Sequence, residues 1–171
     1  MRGFSYIKLL QTKITEQQFQ EVMEVENSTG SGYAEEEMRE IWVNGNKNDN
    51  FVCLHNEKIV AHISYNPQSK RRNGSIFMVN LTVSPEYRKQ GIAQGLILEA
   101  CKYYIGCGNS LSMSTSVDKD NLPAINLYKK VGFEIMDPIC EADEDGEQYI
   151  LAAPIEILNK KMENLKNEKT Q

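Results

Sequence analysis

The sequence predicts a mixed α/β fold, and three observations predict it. Short apolar or alternating runs recur between segments of helical apolar spacing, in the order βααβββαβαββ with a helical tail. Each change of period is marked by Gly, Pro, Asn or Asp. No segment repeats another, so the elements read as one sheet-and-helix unit. The order of strands within the sheet does not follow from this pattern.

Ser5–Leu10 reads as the first strand. Thr15 opens a helix with Phe19, Val22, Met23 and Val25–Glu26 on one side, and Gln18 three residues on completes a capping box. Residues 27–32 break it, and a second helix runs from Ala34 to about Val43 with Met38, Ile41 and Trp42 as its apolar face. After a polar loop over 44–50, Phe51–His55 and Lys58–Tyr65 form a hairpin across Asn56–Glu57. Pro67–Gly74, carrying Lys70, Arg71 and Arg72, connects to a strand at Ser75–Val83. Gly91–Ile105 is helical, Ser110–Val117 alternates as a strand, and Asn121 with Pro123 opens a helix that Gly132 ends. Phe133–Cys140 and Gln148–Ala153 are the last strands, separated by the acidic loop 141–147. Ile155, Leu158, Met162 and Leu165 are spaced as one face of the tail helix. The expected division is a domain over residues 1–154 and a tail over 155–171.

Composition narrows the function. The 171 residues suit one domain with a real core, and 40% hydrophobic with 25% charged residues is ordinary for a globular protein. A net charge of −5 argues against general nucleic-acid binding and suits a cationic substrate. The short apolar run near the start is a poor signal peptide, and no segment approaches the roughly 20 apolar residues of a membrane span, so the expected location is cytoplasmic. Cys53, Cys101, Cys107 and Cys140 form no CxxC pair and are expected as small buried hydrophobes. With only His55 and His62 to supply imidazole, no metal site is expected.

The chemistry concentrates in Val79–Gly95, VNLTVSPEYRKQGIAQG. A strand stops at Pro85, and the chain turns to reach Gly91 as a helix begins. The first amides of that helix are unpaired and backed by the positive end of its dipole, an arrangement that binds a phosphate or diphosphate. Gly91 removes the side chain where a ligand must come close, and Ala93 and Gly95 keep the next turn thin.

Two segments resemble the GNAT superfamily of acyl-CoA-dependent N-acetyltransferases. Arg88–Lys89–Gln90–Gly91–Ile92–Ala93 is similar to the family's [Q/R]-x-x-G-x-[G/A] diphosphate loop. Asn121 to Phe133, NLPAINLYKKVGF, is similar to its N…A…LY-x-x-x-GF signature. The resemblance covers about Ser5 to Pro154 and implies a GNAT-like mixed, mostly antiparallel sheet of about seven strands flanked by helices, splayed between strands 4 and 5. It implies acetyl-CoA as cosubstrate, with no metal. The backbone of Leu81, Thr82 and Val83 would hold the pantetheine arm, the amides from Lys89 through Gln90, Gly91, Ile92 and Ala93 to Gln94 the diphosphate, and Asn121 or Asn126 the same arm. Tyr128 matches the tyrosine beside the CoA sulfur, the one residue expected to be catalytic.

The reaction so implied is direct attack of a primary amine on acetyl-CoA in a ternary complex. Proximity can supply roughly 7–11 kcal/mol of it and an oxyanion donor such as the N–H near Val83 about 3–4. A base is harder to name. Relatives that acetylate ribosomal-protein alanine carry a glutamate where this chain has Ser116, and histone-type relatives carry one on the fourth strand, where Ser75–Val83 has no acid. Water held by Asn80, Thr82 or Ser116 is one alternative. A non-catalytic acyl-CoA-binding module stays open beside the enzyme. The acceptor is a small molecule, a protein N-terminus or a lysine; no nucleic acid or membrane partner is implied, and the tail can dock on its own domain or on a second copy in a homodimer. Glu35, Glu36, Glu37, Glu40 and the 141–147 loop would flank the acceptor side, which favours a cationic amine.

Overall fold

The computed structural model describes residues 3–9, 14–30, 32–44, 48–67, 75–108, 112–136 and 148–168. Within them a seven-stranded sheet is built from β1 (Phe4–Leu9), β2 (Asp49–His55), β3 (Lys58–Asn66), β4 (Ile76–Val83), β5 (Ser112–Asp118), β6 (Glu134–Ile135) and β7 (Gln148–Pro154). Their spatial order is β1-β2-β3-β4-β5-β7-β6. Every neighbouring pair is antiparallel except β4 and β5, which run parallel. The helices are α1 (Glu16–Thr29), α2 (Glu35–Arg39), α3 (Ile92–Gly106), α4 (Leu122–Val131) and α5 (Ile155–Glu168).

The local signals explain most boundaries. Thr15 caps α1 and exchanges bonds with Gln18 in both directions, at 3.1 and 3.0 Å. Asn56 and Glu57 both take positive φ, 50° and 65°, as a two-residue turn between right-twisted strands requires. The single helix expected from Ala34 to Val43 is instead α2 followed by a π-helical turn, Glu40–Asn44, which swings Trp42 into the core. Of the strand expected over 133–140, the described part is only Glu134–Ile135; the basic 70–72 and acidic 141–147 segments and Cys140 lie outside the described residues. Cys53 and Cys101 are buried as expected, but Cys107 is exposed, because it follows the last turn of α3 where the chain leaves the sheet.

Two cores sandwich the sheet. One face packs α3, α4 and α5 through residues such as Leu96, Ile97, Tyr104, Val131, Ile155 and Leu158. The other packs α1 and the α2 segment through Phe19, Val22, Met38 and Trp42 against Val52 and Ile59. Ile155, Leu158 and Met162 make α5 part of the first core rather than a loose appendage.

Candidate active site

Strand β4 changes character halfway along. Ile76, Phe77 and Met78 pair with Met113, Ser114 and Thr115 of β5, and there the parallel pairing ends. The cause lies on the other edge. Between β3 and β4, Ser64 pairs with Asn80 but Tyr65 pairs with Met78, so Val79 is an extra, bulged residue. A bulge bends its strand and resets which face the following side chains meet. Ile76 and Met78 therefore enter the α3–α5 core, while Asn80 and Thr82 point beneath α1 and α2. Beyond Met78, β4 and β5 diverge and leave a cleft.

The backbone facing that cleft can be read from the ladder. Ser84 N–H bonds the Val60 carbonyl, so by the two-residue alternation of a strand Thr82 also faces β3, and Leu81 with Val83 faces the opening. Of the three residues expected to hold an extended ligand, Thr82 thus offers its side chain rather than its backbone. The Val83 carbonyl already accepts a bond from Arg88 Nε at 3.1 Å, which leaves the Val83 N–H and the Leu81 groups for a ligand.

At the mouth of the cleft the chain turns through Pro85–Tyr87 into α3. Lys89 and Gly91 take φ of 59° and 83°, and Gly91 caps α3 with no side chain bonding the helix amides. The first turn of α3 holds no acid, and Arg88 and Lys89 stand exposed beside it. These are the conditions under which a helix N-terminus attracts a diphosphate. Gly95 has a different task from the one its spacing suggests: it is buried, and a methyl group there would overlap the Tyr6 ring of β1. Its smallness lets α3 sit close on the sheet.

Tyr128 stands at the apex of the cleft. It is buried on α4, packs edge-on to Phe133 with ring centroids 5.5 Å apart, and lies 3.5 Å through its hydroxyl from Met78 Sδ, at the last paired position of β4. Burial, opposed by a bond with Thr115, pushes its pKa up to about 12. A phenol that weak sits some 3.5 units above an ordinary thiol of about 8.5, so giving its proton away to a thiolate costs about 5 kcal/mol. It is suited to donate a hydrogen bond rather than to ionise. Asn121 caps α4, its Oδ1 accepting from Ala124 N–H at 3.2 Å, and Asn126 is exposed one turn on. Ser116 lies on β5 past the last pairing with β4.

The residue that sequence reasoning passed over is Glu26. It counted as part of the inward face of α1, and it is 1% exposed. Its Oε1 accepts from Asn80 Nδ2 at 2.8 Å and from Thr82 Oγ1 at 2.7 Å. His62 Nε2 of β3 lies 2.8 Å from the same oxygen, an ion-pair distance without hydrogen-bond alignment. Tyr33, 36% exposed in the α1–α2 connection, has its pKa raised by partial burial and by the charges of Glu26 and Glu37. The available signal was a lone acid among Phe19, Val22, Met23 and Val25 on the buried side of an otherwise amphipathic helix. Alongside, a groove of about 430 Å³ runs between α1 and the β4–α3 turn, lined by Val25, Ser28, Val60, Ser84 and Tyr87 among others. Among the described residues no group of three or more His, Cys, Asp or Glu is placed to hold a metal, and no helix is long and apolar enough to cross a membrane.

Residues 16–133 match the model of the acetyltransferase (GNAT) family. An N-alpha-acetyltransferase of Sulfurisphaera tokodaii is 35% identical over 79 residues, 46% of this chain and 47% of that protein. The L-amino acid N-acetyltransferase AaaT of Escherichia coli is 31% identical over 103 residues, 58% and 57% of the two chains. The chain thus spans about half the length of the curated relatives it matches. The fold is shared more widely: the ribosomal-protein-S18-alanine N-acetyltransferase of E. coli superposes with a TM-score of 0.70 at 20% identity, covering 90% of this chain and 94% of that one. Arabidopsis thaliana NAA60 in complex with acetyl-CoA gives 0.69 at 19% identity, covering 90% and 99%.

Proposed function

The chain belongs to the GNAT acetyltransferase family, and from that premise we propose that it transfers acetyl from acetyl-CoA to an α-amino group by direct attack in a ternary complex. The observation that carries the reading is the cleft itself. A helix N-terminus with no side-chain cap and no acid, a strand edge with free backbone and a buried tyrosine hydroxyl converge where β4 leaves β5.

In this reading the diphosphate lies on the amides around Gly91–Gln94, and the pantetheine arm adds to β4 along Leu81 and Val83 as an extra strand would. The Val83 N–H points at the thioester carbonyl oxygen and stabilises it as charge develops. Attack of the neutral amine nitrogen on the carbonyl carbon gives a tetrahedral intermediate. Its collapse breaks the C–S bond, with Tyr128 donating a hydrogen bond to the departing sulfur. Asn121 and Asn126 flank the arm from α4. The α-amine is favoured over other amines because the relatives that match by sequence are named for N-alpha and amino-acid acetylation. The acidic α2 face suits a cationic acceptor.

Release of free CoA thiol from acetyl-CoA, measured over a panel of free amino acids, peptides with free N-termini and N-blocked lysine peptides, tests this. The expected result is amine-dependent thiol release with the acetyl group found on the α-nitrogen. Tight CoA binding without turnover on any amine would instead favour a non-catalytic acyl-CoA-binding module.

A further inference from the structure

We propose that Glu26 is the proton acceptor for the attacking amine, reached through the hydroxyl of Thr82. The proposal rests on the acetyl-transfer reading and supplies the group that reading lacks. Strand β4 carries no acid from Ile76 to Val83, and beyond the split β5 carries Ser116 and, at its exposed end, an Asp118 already bonded by Gln148 Nε2 at 2.8 Å. An amine that arrives as ammonium must lose a proton before its lone pair can attack.

The structure brings a carboxylate to β4 from another element. Glu26 projects from the last turn of α1, and its Oε1 collects Thr82 Oγ1 at 2.7 Å, Asn80 Nδ2 at 2.8 Å and His62 Nε2 at 2.8 Å. Packing does not account for it, because an apolar residue among Phe19, Val22, Met23 and Val25 avoids the desolvation of a buried charge. The two β4 residues that bind it are those the Val79 bulge turned toward α1. Thr82 also precedes Val83, whose N–H faces the cleft, so its hydroxyl lies one residue from the group that would polarise the thioester. The same hydroxyl sits 2.8 Å from Asn80 Oδ1, a second acceptor that lets its proton swing between partners.

The step balances without a co-reactant. The ammonium N–H gives its proton to Thr82 Oγ1 as the Thr82 proton passes to Glu26 Oε1. Neutral amine, hydroxyl and carboxylic acid remain. After attack, a second N–H proton leaves the tetrahedral intermediate for the departing thiolate, giving free CoA thiol, and Glu26 returns the first proton through Thr82 to solvent once the products leave. Glu26 is faced by His62 from β3 and by Asn80 and Thr82 from β4, and its charge reaches Tyr33 in the α1–α2 connection, with Glu37 near Tyr33. His62 and Tyr33 are the titratable neighbours. An α-amine, with a pKa near 7.7–8.0, asks less of such an acceptor than a lysine near 10.4, roughly 2.5 units of driving force.

The test is kcat for wild type, Glu26→Gln, Thr82→Val and Thr82→Ser on a series of primary amines of graded basicity, at fixed pH, with KM for acetyl-CoA measured alongside. Glu26→Gln and Thr82→Val should lose about 100- to 10,000-fold in kcat on strongly basic amines. The loss should shrink toward tenfold on amines already neutral at the assay pH, with KM for acetyl-CoA unchanged. Thr82→Ser should recover most of what Thr82→Val loses. A penalty equal across all amines, or Glu26→Gln within threefold of wild type on every one, overturns the proposal while wild-type turnover upholds acetyl transfer. Wild type that acetylates no amine overturns both. Should Glu26→Gln fail to fold, the valine and serine variants at Thr82 decide by the same dependence on amine basicity.

Discussion

The two halves of β4 make an instructive contrast. Phe77 and Met78 are paired on both edges, and Ile76 and Met78 are buried in apolar core; Asn80–Val83 is paired on one edge and polar beneath. One extra residue, Val79, separates them. Phe77 and Met78 have both edges taken up by the sheet and so offer no edge to a ligand. The second half gives up its β5 partner, which leaves the Val83 N–H and the Leu81 groups for the ligand proposed above. A strand can therefore serve as scaffold and as site within eight residues, provided a bulge isolates one from the other.

The contrast can be broken most severely at the mouth of the open half. Gly91→Glu places a side chain at φ 83° and a negative charge on the amides meant for a diphosphate. CoA affinity measured by titration calorimetry should fall more than about 100-fold, a difference of roughly 2.7 kcal/mol. Unchanged affinity would separate this loop from CoA binding. Next in size is Tyr128→Phe at the apex. Losing a hydrogen bond to a developing thiolate should lower kcat about 10- to 100-fold with the Kd for acetyl-CoA preserved. If steady-state rates are unaffected, Tyr128 only packs.

The same variant carries a pH signature. Tyr128 is pushed up to about 12 when folded and titrates near 10 when unfolded. Between those values the unfolded chain has lost a proton that the folded chain keeps, so stability falls as pH rises from about 10 to 12. For this residue the fall is about 2–3 kcal/mol. Phenylalanine should flatten that part of the slope in denaturant melts, leaving the contributions of Tyr6, Tyr65 and Tyr104, whose hydroxyls burial also raises. An identical alkaline slope in both proteins would contradict the buried environment of Tyr128.

Gly95→Ala probes the scaffold beneath the loop. The added methyl must displace the Tyr6 ring, and overpacking of this kind costs about 1–3 kcal/mol in chemical denaturation. Thr15→Ala, far from β4, should cost about 1 kcal/mol through the lost cap of α1 and leave acetyl transfer untouched. Loss of turnover from the cap variant would mean that α1 is positioned less firmly than its buried face suggests.

Legibility in the sequence followed the same division. The loop from Arg88 to Ala93 and the helix from Asn121 to Gly132 are contiguous, and the work proposed for them rests on backbone, glycine and capping residues whose spacing is local. They could be read in order. The α1–α2 side could not. Glu26, His62, Asn80 and Thr82 come from α1, β3 and β4, and meet only because a one-residue bulge reverses the facing of Asn80. Nothing local to Val79 marks it as that extra residue. His62 is an ordinary residue of β3, distinguished only by its neighbour Glu26. The π turn at Glu40–Asn44 escaped for a related reason, since Met38, Ile41 and Trp42 fit an α-helical face equally well.

The claim that most needs testing is that the unpaired half of β4 and the start of α3 form the acyl-donor site. Amide chemical-shift mapping by heteronuclear NMR, on titration of the full chain with CoA, addresses it directly. The largest perturbations should fall on Leu81, Val83 and Gly91–Gln94, with Ile76–Met78 nearly silent. Perturbations centred on the surface between α1 and the β2–β3 turn, with the Gly91 region unmoved, would contradict it.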